Sequence, residues 1–254
     1  SASPAPAPTP SPTPSSVQPP MQQPLVLEAD GGAVAQLAEG QSEIRIDAAD
    51  AVQITTVLEV RTDAVDLKIP SGVVQRLLAL LPPEAADGAR LSIKVEQAAE
   101  EMAARYADRT VPMPGGGTLD LASDILQLSL SVVTKDGEAM TPEQFSAPVT
   151  LVFRVKDSAD PALLGVYYLE NGKEPQYVGG KWNAESNELE VDLEHFSAYA
   201  VFAYEKSYSD VPPEHWVYDM LRELTARHII EGTTDGRFVP DAAVTRAQFA
   251  KMAV

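Results

Sequence analysis

The chain has 254 residues, no cysteine, and a formal net charge of −18 from 37 acidic and 19 basic residues. Such a surface repels nucleic acid and anionic membranes, and without thiols there are no disulfides, thiolate metal sites or cysteine nucleophiles. No apolar run approaches the ~20 residues that a bilayer-spanning helix needs, so neither nucleic acid nor membrane insertion is expected.

Length fits about two domains at roughly 100–200 residues each. Residues 1–24 form neither. Pro4, Pro6, Pro8, Pro10, Pro12 and Pro14 alternate with Ala, Thr and Ser, and Pro19, Pro20 and Pro24 follow. Each proline fixes φ and removes a donor, so an extended, disordered linker is expected. The chain has no Met start and no signal peptide, and its last pattern stops inside an unfinished helix at Ala253-Val254. It is therefore expected to be an internal piece of a longer chain.

Residues 25–204 read as a β-sandwich-like module with two short helical insertions. Leu126, Leu128, Leu130 and Val132 alternate with polar residues, as do Leu189, Val191 and Leu193. Val149, Leu151, Phe153 and Val155 alternate likewise, broken only by an outward Val152. Strands that bury one face give this period of two, and two stacked sheets bury such faces economically. Earlier candidates are Glu43–Ile46, Val52–Val60, Val65–Ile69 and Arg90–Val95. Asp136-Gly137, Asn171-Gly172 and Gly179-Gly180 are turn signals. Val73, Val74, Leu77, Leu78 and Leu81 have helical spacing, stopped by Pro82-Pro83. Gln97–Tyr106 predicts a second helix with Ala99, Met102, Ala103 and Tyr106 as its stripe. Pro112–Gly117 reads as a flexible loop.

His195-Phe196-Ser197 opens the last strand of this module. The segment resembles the end of a ZU5-type autoproteolytic β-domain, in which His-Phe-Ser is a self-cleavage site. That resemblance implies attack of Ser197 Oγ on the Phe196 carbonyl, with His195 as general acid/base. The alternative is a strand start in which Phe196 fills the core and His195 is hydrogen-bonded at the rim. No constellation for catalysis on an external substrate is present, so no enzyme activity and no cofactor are expected.

Residues 205–254 read as a small α-helical module. Tyr208-Ser209-Asp210-Val211 leads through His215-Trp216 to a helix opened by Pro212-Pro213, with Val217, Met220, Leu221 and Leu224 as its buried stripe. Arg222, Glu223 and Arg227 take the wet side. Gly232 to Gly236 form a turn. Thr245 and Gln248 have capping-box spacing at the start of a second helix, and Val244 and Phe249 are placed as its hydrophobic staple.

This order of motifs over 208–254 resembles the S-layer homology module, the unit that fixes bacterial surface proteins to cell-wall polysaccharide. The resemblance implies an extracellular, S-layer-associated protein anchored to a secondary cell-wall polysaccharide, an anionic, pyruvylated one, with the β-module as spacer or stalk. It also implies further repeats of the module, in the full-length chain or in other copies. Arg246 is the implied ligand contact, Trp216 an apolar platform for a sugar face, and Asp210 and Gly232 residues that line or shape the groove. The sequence departs from the family pattern at Tyr208, Val217, His228 and Gln248. His228 stands where glycine is usual, so it must accept a left-handed backbone or shift the helix end. Besides self-cleavage, a further alternative is the tail of a larger secreted enzyme.

Overall fold

Alternating apolar side chains assemble two stacked sheets in the computed structural model, which describes residues 25–106, 110–155 and 159–253, with side chains through Ala250. The proline-rich segment 1–24 lies outside the described residues. The first half contains β1 (Val26–Leu27), β2 (Ala33–Gln36), β3 (Glu43–Asp47), α1 (Ala48–Ala51), β4 (Val57–Arg61), β5 (Val65–Pro70), α2 (Ser71–Leu78), β6 (Arg90–Gln97) and α3 (Glu100–Arg105). There follow β7 (Thr110–Pro112), β8 (Thr118–Leu121), β9 (Leu126–Val133), β10 (Ala139–Met140), β11 (Val149–Arg154) and β12 (Leu164–Leu169). The chain continues through β13 (Gln176–Gly179), β14 (Lys181–Asn183), β15 (Glu188–Leu193) and β16 (Ala198–Glu205) to α4 (Tyr218–Ala226) and α5 (Arg246–Ala253).

One sheet runs β1-β2-β4-β5-β11-β15-β14, antiparallel except for β2 beside β4. The other runs β13-β12-β16-β9-β6-β3, with β10 added on β9 and the β7–β8 hairpin on β16. The main core lies between them, where Leu67, Leu151 and Phe153 of the first sheet pack in one cluster with Ile93, Leu130 and Val201 of the second. All six are fully buried.

A second core lies on the far side of the larger sheet. Along β16, Tyr199 and Val201 face the inter-sheet core, whereas Ala198, Ala200, Phe202 and Tyr204 face the second cluster. Along β12, Val166 goes to the first and Tyr167 and Leu169 to the second. Met102, Tyr106, Leu119 and Ala226 cover this second face. A strand buried on both sides reads as a continuous apolar run, and Ala198-Tyr-Ala-Val-Phe-Ala-Tyr204 is such a run.

Several sequence expectations change. The Val52–Val60 strand begins only at Val57; α1 precedes it, and Thr55 and Thr56 donate their backbone N–H groups to Gly31 O at 2.8 and 3.2 Å. The second helical insertion spans Glu100–Arg105, and Ala98, Met102 and Tyr106 point inward while Ala99 and Ala103 are exposed. Val152 is 4% exposed, because β11 is central and the Arg154–Asp66 ion pair (2.7 Å) lies across the same outer face. Gly179-Gly180 is no hairpin turn: β13 belongs to one sheet and β14 to the other, so the pair carries the chain between sheets at φ of 116° and 147°. The Pro112–Gly117 segment is a hydrogen-bonded hairpin turn, closed by Met113 N–H to Gly117 O at 3.0 Å.

Candidate functional site

The C-terminal segment builds a small core of its own from Tyr208, Val211, Val217 and Leu221, with Ile230 and Phe238 packed against it. The helix starts at Tyr218 rather than at Pro212-Pro213, which sit in a preceding turn. Its buried residues are Leu221, Thr225 and Ala226; Met220 is exposed, so the stripe is rotated from the expected one. The rotation follows from a second neighbour, since Ala226 joins the outer core of the large sheet. Arg222 is likewise not on the wet side. Its guanidinium lies 3.3 Å from Asp160 and 3.3 Å from Glu205, tying α4 to the β-module.

Asp210 acts as a backbone clamp. Its two carboxylate oxygens accept the N–H groups of Phe238 and Val239, each at 2.8 Å. These bonds, the Phe238 one foremost, hold its carboxyl below the ordinary range. Val239 has φ of 60°, a left-handed conformation that a β-branched residue before proline adopts only when its surroundings impose it. A lowered folded pKa stabilises the turn above the unfolded value and loses that effect as pH falls through the folded one. Acidification below about pH 3.9 is expected to release the Phe238 and Val239 amides in an NMR titration. Asp210→Asn should lack that step.

Gly232 has φ of 74°, and an added Cβ would lie 2.2 Å from Tyr208 Cε1. Glycine is therefore required here for both backbone and space. Together with Ile230, Phe238 and Pro240 it lines a cleft of about 250 Å³ bounded by Gln248.

The capping box forms as its spacing implied. Gln248 N–H donates to Thr245 Oγ1 at 3.2 Å, and Thr245 N–H donates to Gln248 Oε1 at 2.9 Å. The staple residues Val244 and Phe249 are both largely exposed. Arg246 is the first residue of α5, exposed, and joined to no ion pair or hydrogen bond among the described residues. It shares an open hollow with Val244, Thr245 and Phe249. Trp216 is 83% exposed and stacks on His215 at 5.9 Å, so it presents an apolar face to solvent and fills no core.

His195 and Ser197 precede β16, which begins at Ala198. His195 Nε2 lies 3.3 Å from the buried Tyr199 hydroxyl, which donates to His195 O at 3.0 Å. No hydrogen bond joins His195 to Ser197 Oγ among the described residues. The backbone from 195 to 197 contains neither a cis peptide nor a positive φ. Phe196 packs edge-on against Phe145 at 4.9 Å, and Ser197 O accepts from Leu128 N–H at 2.8 Å. We infer that the tripeptide pins a strand start. Denaturing electrophoresis is expected to show one full-length band for wild type and for Ser197→Ala alike; a fragment beginning at Ser197 that the substitution removes would establish cleavage instead.

Sequence reasoning missed the contacts that tie the segment after α4 to the β-module. Lys206 Nζ donates to Gly115 O and to Glu231 O, both at 2.7 Å, and Tyr167 meets His228 across a separation of 61 residues. Nothing local in the sequence marks such pairs.

The fold and site thus define a β-rich module carrying a small helical module with an exposed arginine at a capped helix start. Residues 207–250 match the S-layer homology domain family, so the chain carries an S-layer homology domain. Among curated proteins, an amylopullulanase of Thermoanaerobacterium thermosulfurigenes is 38% identical over 106 residues, which is 41% of this chain and 6% of that protein. Exoglucanase XynX of Acetivibrio thermocellus is 44% identical over 39 residues, 15% of this chain and 4% of that protein. The matches therefore span only a small fraction of either relative. The domain assigns the chain to the bacterial cell surface, in S-layer association. No helix among the described residues is long and apolar enough to cross a membrane.

Proposed function

We propose that residues 205–254 hold the protein on the wall by binding an anionic, pyruvylated secondary cell-wall polysaccharide, with residues 25–204 as spacer and 1–24 as linker. The observation that supports this best is Arg246, exposed and without a partner among the described residues, at the first position of a capped helix within the family match. A guanidinium fork accepts a carboxylate bidentately. The N-terminal end of the helix is itself electropositive, so Arg246 and the helix favour the same anion. Trp216 offers a flat apolar face suited to a sugar ring. Asp210 and Gly232 shape the neighbouring turn and serve the ligand through it. Further copies of the domain complete the binding unit.

Full-length protein is expected to co-sediment with purified wall sacculi and to remain in solution once the secondary polymer has been stripped from them. Undiminished retention on stripped sacculi would overturn the reading. The names of the two relatives favour a second reading, in which this chain is the anchoring part of a longer polysaccharide-degrading enzyme. A glycosidase sequence encoded upstream of Ser1 in the same gene would support it.

A further inference from the structure

The joint between the two modules is a built interface with His228 at its centre. Helix α4 ends in a closed C-terminal motif: His228 N–H donates to Thr225 O at 2.9 Å and Ile229 N–H to Leu224 O at 3.0 Å. His228 holds the left-handed position of that motif at φ 56°, where glycine is the least strained residue. Its ring packs against three tyrosines of the β-module, although the residue as a whole remains exposed. It lies nearly parallel to Tyr204, with centroids 4.9 Å apart and planes at 15°, and 5.0 Å from Tyr177. It meets Tyr167 edge-on at 5.8 Å, and its Nε2 is 2.9 Å from the Tyr167 hydroxyl.

Tyr167 is 0% exposed, and burial pushes its phenol well above the ordinary range, so it remains an O–H donor. With the Tyr167 O–H as donor, the neutral His228 ring accepts at Nε2 and carries its proton on Nδ1, the tautomer on which the latch rests. A proton added at Nε2 would confront the Tyr167 O–H and force that buried hydroxyl to turn away. We infer that His228 is an acid-sensitive latch, whose neutral ring locks α4 of the S-layer homology domain onto the outer face of the larger sheet and whose protonation releases it.

The surrounding groups act in both directions. Although the residue keeps a solvent-exposed edge, desolvation of its ring pulls the pKa below the ordinary value; Lys206 acts the same way and Glu231 opposes it. Glu174 lines the adjoining cavity of about 740 Å³ with Lys206, Glu231 and His228, and Arg227 acts electrostatically on Tyr177. The tyrosine faces attract a cation, against the loss of the Tyr167 bond and of hydration. Because the folded pKa is depressed, docking is fully stabilised above the unfolded value of about 6.5 and weakens as pH falls towards the folded one.

The test is hydrogen exchange of the full chain at about pH 7.5 and about pH 5, corrected for intrinsic rates, on either side of the ordinary histidine value. Protection of α4 should fall at the lower pH, by up to about tenfold for each unit of pKa depression. The β9 and β11 core should stay protected. Glutamine does not titrate, so His228→Gln should remove this pH dependence; His228→Asn, which tolerates the left-handed backbone, serves if glutamine fails to fold. An NMR titration of wild type should place His228 below the ordinary value. Equal α4 protection at both pH values, the same fall in either variant, or a His228 pKa at or above the ordinary value would each overturn the latch. No wall polymer enters the readout, so its outcome is separate from that of the wall-binding proposal.

Discussion

Gly232→Ala is expected to destabilise the helical module by about 2–5 kcal/mol. The left-handed backbone costs a non-glycine residue about 1–2 kcal/mol, and forcing a methyl into filled space adds about 1–3 kcal/mol. Here the added carbon would lie 2.2 Å from the Tyr208 ring and 2.9 Å from Arg237 O. Neither neighbour can yield cheaply. Tyr208 is buried and its hydroxyl is bonded to Thr225 Oγ1 at 3.0 Å, and the Arg237 carbonyl accepts from Thr233 N–H at 2.7 Å. Denaturant melts followed by near-ultraviolet dichroism should show the module unfolding early in this variant while the sandwich persists. A variant that melts with wild type would mean that the turn is far more plastic than its contacts imply.

Arg246→Glu should leave stability nearly untouched and remove most of the affinity for the wall polymer. The side chain is exposed and partnerless among the described residues, so its replacement is expected to shift stability by no more than about 0.5 kcal/mol. Hydrogen bonds to a charged group contribute about 1.5–3 kcal/mol each. One tenfold in affinity corresponds to about 1.4 kcal/mol. Losing the fork therefore weakens binding at least about tenfold, and placing a carboxylate against an anion adds repulsion. Arg246→Lys keeps the charge without the planar fork and should fall between the two. Titration of defined polymer fragments into the full-length protein separates these variants, and thermal melts check that each remains folded.

The sequence exposed those parts of the fold in which one face of an element is wet. Strands β9 and β15 alternate, and their alternation marks nearly their observed bounds. The capping box of α5 was equally legible, because its three-residue spacing is itself the structure. Strand β12 escaped notice because Tyr167 and Leu169 are buried on one side and Val166 on the other, leaving no alternation to detect. The parallel pairing of β2 with β4 is invisible for another reason: β3 and α1 intervene, with β3 in the opposite sheet.

The same logic applies at the site. Thr245, Gln248, Asp210 and Gly232 obey local rules of capping and turn geometry, so their structural parts follow from spacing. The orientation of α4 does not. Its apolar spacing describes a helix that serves one small core, whereas Ala226 and Arg222 answer to the sandwich as well. His228 stood out only as an awkward residue at a helix end. Its tyrosine cage is assembled from positions 167, 177 and 204, which no local pattern connects.

The most direct measurement is a double-mutant-style cycle on the full-length protein, comparing wild type and Arg246→Glu on the secondary polymer with and without its pyruvyl groups. Wild type should bind the intact polymer at least about tenfold more tightly than the depyruvylated one. The charge reversal should erase that difference while changing affinity for the depyruvylated polymer little. If wild type bound both polymers equally, or if Arg246→Glu preserved the preference, Arg246 would not be the group that reads the wall.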